Sequence, residues 1–149
     1  MNRKLLLLLF FLVTFLMNAQ NAGWTTNVTD AIALSAEQRR PMLILFTAAS
    51  ASDNLQEEVF GTPEFEKWSR KNVILVKLDL SDFSSSVIKE QNVRLKNAFE
   101  IIELPQVCIV NGAIRNGKTT FDMLGKVSYR NGGARSWISE CDSILNPSE

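Results

Sequence analysis

The sequence predicts an α/β domain, and three observations carry that prediction. The continuous apolar run Met42 to Phe46 follows the helix-stopping Pro41 and is too short for a buried helix, so it reads as a strand covered on both faces. A second run, Val73 to Leu80, opens apolar and then alternates Val76, Leu78 and Leu80 with Lys77 and Asp79, the period of a strand. Between and after these runs, apolar residues recur at helical spacing, so helices are available to cover the sheet.

Residues 1–20 carry the three-part pattern of an export signal: Arg3 and Lys4, an apolar run from Leu5 to Leu16 interrupted by Thr14, and a small-residue end near Ala19. That run is shorter than the roughly 20 residues needed to cross a bilayer. Cleavage near Ala19 or Gln20 is expected, an uncleaved membrane anchor being the other reading. Residues 21–149 are expected to form a single domain. The expected location is periplasmic or secreted, in a bacterium, with no stable membrane span after cleavage.

Removing Arg3 and Lys4 leaves 14 basic residues against 16 acidic ones, scattered along the chain, which speaks against a nucleic-acid partner. The chain contains no histidine. That removes Ser-His-Asp and Cys-His catalysis, imidazole acid-base work near neutral pH, and zinc sites that need imidazole. With Cys108 and Cys141 as the only thiols, no metal site, no cofactor and no catalytic residue is assigned.

Taken in order, Asn27 or Thr29 can cap a helix over Asp30 to Arg39, with Ile32 and Leu34 as its apolar residues and Pro41 as its stop. After the Met42 to Phe46 strand, Asp53 is expected to cap a helix bearing Leu55, Val59 and Phe60. Gly61 breaks it, and Thr62-Pro63 restarts it as N-cap and first helical residue, with Phe65 and Trp68 facing inward. At the end of the second strand, Asp79 and Asp82 read as solvated acids. Val87 to Phe99 reads as a helix with Val87, Ile88, Gln91, Leu95 and Phe99 on one side. Pro105 leads an apolar strand, Val107 to Val110, where a missing ladder donor is tolerated. Asn111-Gly112 and Asn116-Gly117 are turn signals, and Thr119 to Tyr129 is the last strand region, with Gly125 at a bulge or a close approach. The terminal helix, Ala134 to Leu145, has an apolar face of Trp137, Ile138, Cys141, Ile144 and Leu145.

A strand ending Phe46-Thr47, then a loop and the helix Leu55-Gln56-Glu57-Glu58-Val59-Phe60, then Thr62-Pro63-Glu64-Phe65, resembles the thioredoxin-like superfamily, especially its secreted bacterial members. Pro105, approached by Ala98, Phe99 and Ile101, matches the family's cis-proline, and the run Tyr129 to Gly133 resembles its entry into the last helix. The resemblance implies a thioredoxin-like fold, a central mixed β-sheet flanked by helices, over roughly residues 24–145. It also implies Trp-Cys-x-x-Cys in the loop after the first strand, and there this chain departs from the family. The loop reads Thr47-Ala48-Ala49-Ser50-Ala51-Ser52-Asp53-Asn54. Counted back from Leu55 the two cysteine positions fall on Ala49 and Ser52; counted forward from Phe46 they fall on Ala51 and Asn54. Neither register holds a thiol, and a serine hydroxyl at a helix N-terminus gains nothing like the acidity of a thiol there. The acid that thioredoxins proper keep in the preceding strand is also absent from Met42 to Phe46.

Two functional readings follow, and a third, a small structural subunit of an envelope assembly, shares the residues of the first. In the first, the chain is an exported, redox-inactive thioredoxin-fold module that binds a protein or extended peptide in the cell envelope. Its surface is the degenerate loop, Ala49, Ser50, Ala51 and Ser52, together with the Leu104-Pro105 edge, where the family binds extended peptides by strand-like hydrogen bonds. In the second, it is a divergent thiol-disulfide oxidoreductase using Cys108, Cys141 or both. Buried as small hydrophobes, the two cysteines need no further explanation. A disulfide between them is the sharper alternative in an oxidising compartment.

Overall fold

The computed structural model describes residues 23–81 and 85–148. The export-signal pattern at residues 1–20 and Asp82 lie outside the described residues. The elements run α1 (Val28–Gln38), β1 (Met42–Thr47), a π-helical turn (Gln56–Phe60), α2 (Pro63–Asn72), β2 (Ile74–Asp79), α3 (Ser86–Ala98), β3 (Gln106–Arg115), β4 (Lys118–Val127) and α4 (Gly133–Leu145).

The sheet has the order β2-β1-β3-β4. β1 pairs parallel with β2 and antiparallel with β3, and β4 closes the other side antiparallel to β3. Thr25 adds one parallel bridge outside β2: its N–H donates to the Leu75 carbonyl at 3.0 Å and its carbonyl accepts from Lys77 at 2.9 Å. Every residue from Met42 to Phe46 is buried, because β1 is an inner strand with helices on both sides. Leu43 and Leu45 point to a core layer completed by Val59, Phe60, Phe65, Trp137 and Cys141. Met42, Ile44 and Phe46 point to the opposite layer, with Ala31, Ile32, Phe99, Ile101 and Cys108.

The local signals work as their chemistry requires. The Asn27 side chain accepts from the Thr29 and Asp30 N–H groups at 2.9 and 3.2 Å, capping α1. The Thr62 hydroxyl accepts from Phe65 N–H at 3.3 Å with Pro63 behind it, where its missing donor costs nothing. Asn116 and Gly117, with φ of 52° and 74°, form the β3–β4 turn, a conformation in which glycine carries no steric penalty.

Several expectations are corrected. Asn111-Gly112 is no turn but lies inside β3, whose 10 residues run well past the apolar stretch Val107 to Val110. A Cβ on Gly112 would stand 2.6 Å from Met42 Cε, so this glycine serves close packing. In α1 the buried residues are Ala31, Ile32 and Ser35, while Leu34 is exposed. In α3, Val87 and Ile88 are exposed at 65% and 49% and Gln91 is exposed; Asn92 is buried instead, its side-chain amide donating to the Asp79 carbonyl at 3.0 Å. Leu95 and Phe99 of the expected face do pack inward, so the helix follows the apolar count in its second half, while its first turn with Val87 and Ile88 stands exposed. In β4, Ile109 faces Gly125 and Val110 faces Met123, which leaves Leu124 as the bulged residue. Gly125 beside it admits Ile144 of α4, whose Cδ1 would lie 2.8 Å from a Cβ there.

Candidate functional site

β1 and β2 are parallel, and β3 starts where β1 ends, so three chain segments converge at one end of the sheet: the loop after Thr47, the loop after Asp79 and the segment entering β3. Hydrogen bonds hold the first two together. Leu80 N–H donates to the Thr47 carbonyl at 2.8 Å, and Ala49 N–H donates to Ser81 Oγ at 2.8 Å. Ser81 in turn donates to Asp79 Oδ1 from its hydroxyl and, at 2.8 Å, from its N–H. Asp79 is therefore not simply a solvated acid; it orients the serine that anchors the degenerate loop. The loop turns tightly, Ala51 N–H reaching the Ala48 carbonyl at 2.9 Å. The Asp53 carbonyl opens the helix by accepting from Glu57 at 3.0 Å, and the Ser52 hydroxyl, not the expected Asp53 carboxylate, accepts from Asn54 N–H at 3.3 Å.

A small cavity of about 60 Å3 opens between the loop and β3, lined by Thr47, Ser52, Asp53, Gln56, Lys77 and Pro105 over a floor of Leu45, Leu55 and Phe60. At about 30 Å3 per water it holds about two waters or one small side chain. Of the site residues expected from sequence, Ser52 and Pro105 meet here. Ala49 and Ser50 are exposed on the loop and Ala51 is half-buried. The Leu104–Pro105 peptide bond is cis, and the Leu104 side chain packs against the opposite layer, that of Phe46 and Phe99. Gln56 and Lys77 were missed. For Lys77 the signal was present: alternation puts it on the same face of β2 as Val73 and Leu75.

On the far side of the loop, the Tyr129 hydroxyl donates to Glu58 Oε2 and lies 3.0 Å from Asn131 Oδ1, tying the entry of α4 to the π-helical turn. The bond to the carboxylate raises the Tyr129 pKa.

The two thiols are elsewhere. Cys108 and Cys141 are both free and fully buried. Cys108 lies in the layer beside Ile44, and Cys141 of α4 lies in the layer beside Leu43 and Trp137, so the sheet stands between them. The bridge considered from the sequence is therefore not formed, because its partners occupy opposite faces. Burial pushes the Cys108 thiol from 9.0 up to about 11, against a small lowering by Lys126. Burial raises Cys141 further, with Asp142 and Glu140 adding to it. Both shifts run opposite to those of an attacking thiolate. Among the described residues no group of three or more metal-ligating side chains assembles, and no helix is long and apolar enough to cross a membrane.

No family model matches the chain. The thioredoxin-related protein DsbJ of Chlamydia pneumoniae is 25% identical over 127 residues, covering 82% of this chain and 36% of that protein. The chain thus spans little more than a third of the length of the curated relative it matches. Among solved structures, the DsbH oxidoreductase superposes with a TM-score of 0.72 at 18% identity, covering 86% of this chain and 87% of its own. A thioredoxin from Thermus thermophilus gives 0.57 at 12% identity, with 78% and 82% covered. The C-terminal domain of Neisseria meningitidis DsbD in the oxidised form gives 0.55 at 12% identity, with 82% and 99% covered. The chain therefore has the thioredoxin-like fold, a mixed four-stranded sheet between helices, and its loop after β1 holds no cysteine.

Proposed function

We propose that this chain is an exported thioredoxin-fold protein without redox activity of its own, binding an extended peptide or unstructured protein segment across the Thr47 to Asn54 loop and the Leu104-Pro105 edge. The observation that carries this reading is the shared cavity. Thr47, Ser52 and Asp53 from the loop and Pro105 from the start of β3 line one opening, and no thiol borders it. Its size suits one small side chain, and Asp53, Gln56 and Lys77 around it supply polar partners for a peptide backbone. Export rests on the leader pattern at residues 1–20. The names thioredoxin-related protein and oxidoreductase belong to the similar proteins. For this chain the oxidoreductase reading is disfavoured by two thiols buried on opposite faces of the sheet, each with a raised pKa.

The test is an NMR titration of the isotope-labelled protein with unstructured decapeptides differing in charge and hydropathy. Shifts confined to Thr47, Ser52, Asp53 and Leu104, and lost in a Ser52→Trp variant that fills the cavity, are expected. Binding that Ser52→Trp and Leu104→Arg both leave unchanged would remove this surface from consideration. Turnover of a disulfide substrate that disappears in Cys108→Ala or Cys141→Ala would restore the second reading.

A further inference from the structure

A second cavity, larger than that of the proposed peptide site, lies at the end of the sheet where β1 and β2 begin. It measures about 240 Å3 and is lined by Leu34, Gln38, Arg40, Arg70, Val73 and Leu75 among others. Its charge is set by two arginines thirty positions apart in sequence. Arg70 faces Glu66 of the preceding helical turn at 2.5 Å, so that pair is neutral. Arg40 is different: its guanidinium donates to the Arg70 carbonyl and to Gln38 Oε1, both uncharged. Among the described residues no carboxylate pairs with it. The Arg40 backbone is fixed as well, its N–H donating to the Ser35 carbonyl at 3.2 Å and its carbonyl accepting from Ser35 Oγ at 2.5 Å. The result is a half-buried guanidinium of full charge, held in one orientation by neutral partners, beside an apolar wall of Leu34, Val73 and Leu75.

We propose that this cavity is a binding site for a small organic oxyanion, a phosphate or carboxylate head carrying a short apolar tail. Two of the five Arg40 N–H donors go to Arg70 and Gln38, which leaves three to make charge-assisted bonds to an oxyanion, stronger than neutral hydrogen bonds, and the weak hydration of a guanidinium lowers the cost of docking there. Leu34, Val73 and Leu75 take the tail. The volume equals about eight waters at ~30 Å3 each and falls below the usual range for drug-sized ligands, so the tail is short. The site is independent of the peptide surface at the opposite end of the sheet. Its ligand has two chemical sources, a soluble organic anion or the headgroup and upper chain of an anionic lipid.

The exported protein is titrated with hexyl phosphate by NMR and, separately, sedimented with vesicles of phosphatidylglycerol or of phosphatidylcholine. Saturable shifts at Leu34, Val73 and Leu75, with a Kd of about 1 mM, identify the soluble anion. Sedimentation with phosphatidylglycerol but not phosphatidylcholine vesicles identifies the lipid. In either case Arg40→Gln weakens binding by about tenfold, the loss of a charge-assisted pair. Because Arg40 also holds the last turn of α2, Leu34→Asp is the companion variant. It places a negative charge on the cavity rim, touches none of the Arg40 bonds, and is expected to weaken binding as much. Absence of saturable binding to both probes, or binding that survives Arg40→Gln and Leu34→Asp alike, overturns the proposal.

Discussion

Chemical labelling of the two cysteines separates a structural thiol from a working one, and the structure sets the size of the effect. Cys108 sits on an inner strand between β1 and β4, opposite Ile44 and Lys126, with no solvent exposure. Two factors slow its alkylation. The rise of its pKa from 9.0 to about 11 lowers the thiolate population at neutral pH about 100-fold. The second factor is larger: the reagent reaches an inner strand only when the sheet opens. For a domain of ordinary stability, ~5 kcal/mol or more, the open fraction is about 1 in 5,000 or less. Labelling of native Cys108 is therefore expected to be at least ~5,000-fold slower than that of a free cysteine, with a urea dependence equal to that of global unfolding. Cys141, on a single helix packed against the same sheet, opens at the same cost or by release of α4 alone. The assay is timed alkylation with quenching and intact-mass readout across a urea series. Labelling of either thiol in native buffer within ~100-fold of the free-cysteine rate would refute the reasoning, because a thiolate would then be reaching solvent without unfolding.

Two further predictions concern stability. The Cys108, Cys141 and Tyr129 pKa values are all raised in the folded state, so on alkaline titration the unfolded chain loses these protons first and binds fewer of them. Stability is expected to be complete below the unfolded thiol value of 9.0 and to fall as pH rises toward about 11, with a shallower fall in Cys108→Ala. Urea midpoints that stay level across that window contradict it. Phe65 is fully buried at the centre of an aromatic cluster, its ring 4.9 Å from Phe60, 5.8 Å from Trp68, 5.9 Å from Trp137 and 6.4 Å from Trp24. Phe65→Ala is expected to cost about 3–5 kcal/mol and to lower Tm by about 10–20 °C in a domain of this size. A loss below ~1 kcal/mol by calorimetry would show that the cluster is not packed as described.

What the sequence determined by itself is what short-range chemistry controls. An apolar run without period marks β1 as covered on both faces; alternation marks β2; Asn27 and Thr62-Pro63 start their helices through bonds closed within three residues. The missing dithiol was legible as well, because the loss of a residue type is independent of geometry. Tertiary structure decided everything that depends on which surface meets which. Gly112 reads as a turn until Met42 is placed against it, since glycine serves both turns and close approach. The first turn of α3 stands exposed at Val87 and Ile88 although Leu95 and Phe99 further along pack inward, and Asn92 is buried because its amide finds the Asp79 carbonyl at the end of β2. Strand alternation puts Cys108 on the face of Ile44 only once β3 is paired with β1, and no local pattern states which face α4 covers, so the separation of the two thiols waits on the packed sheet. Arg40 and Arg70 share a cavity for the same reason: the parallel pairing of β1 and β2 brings the end of α1 beside the end of α2, across thirty residues that carry no trace of that meeting.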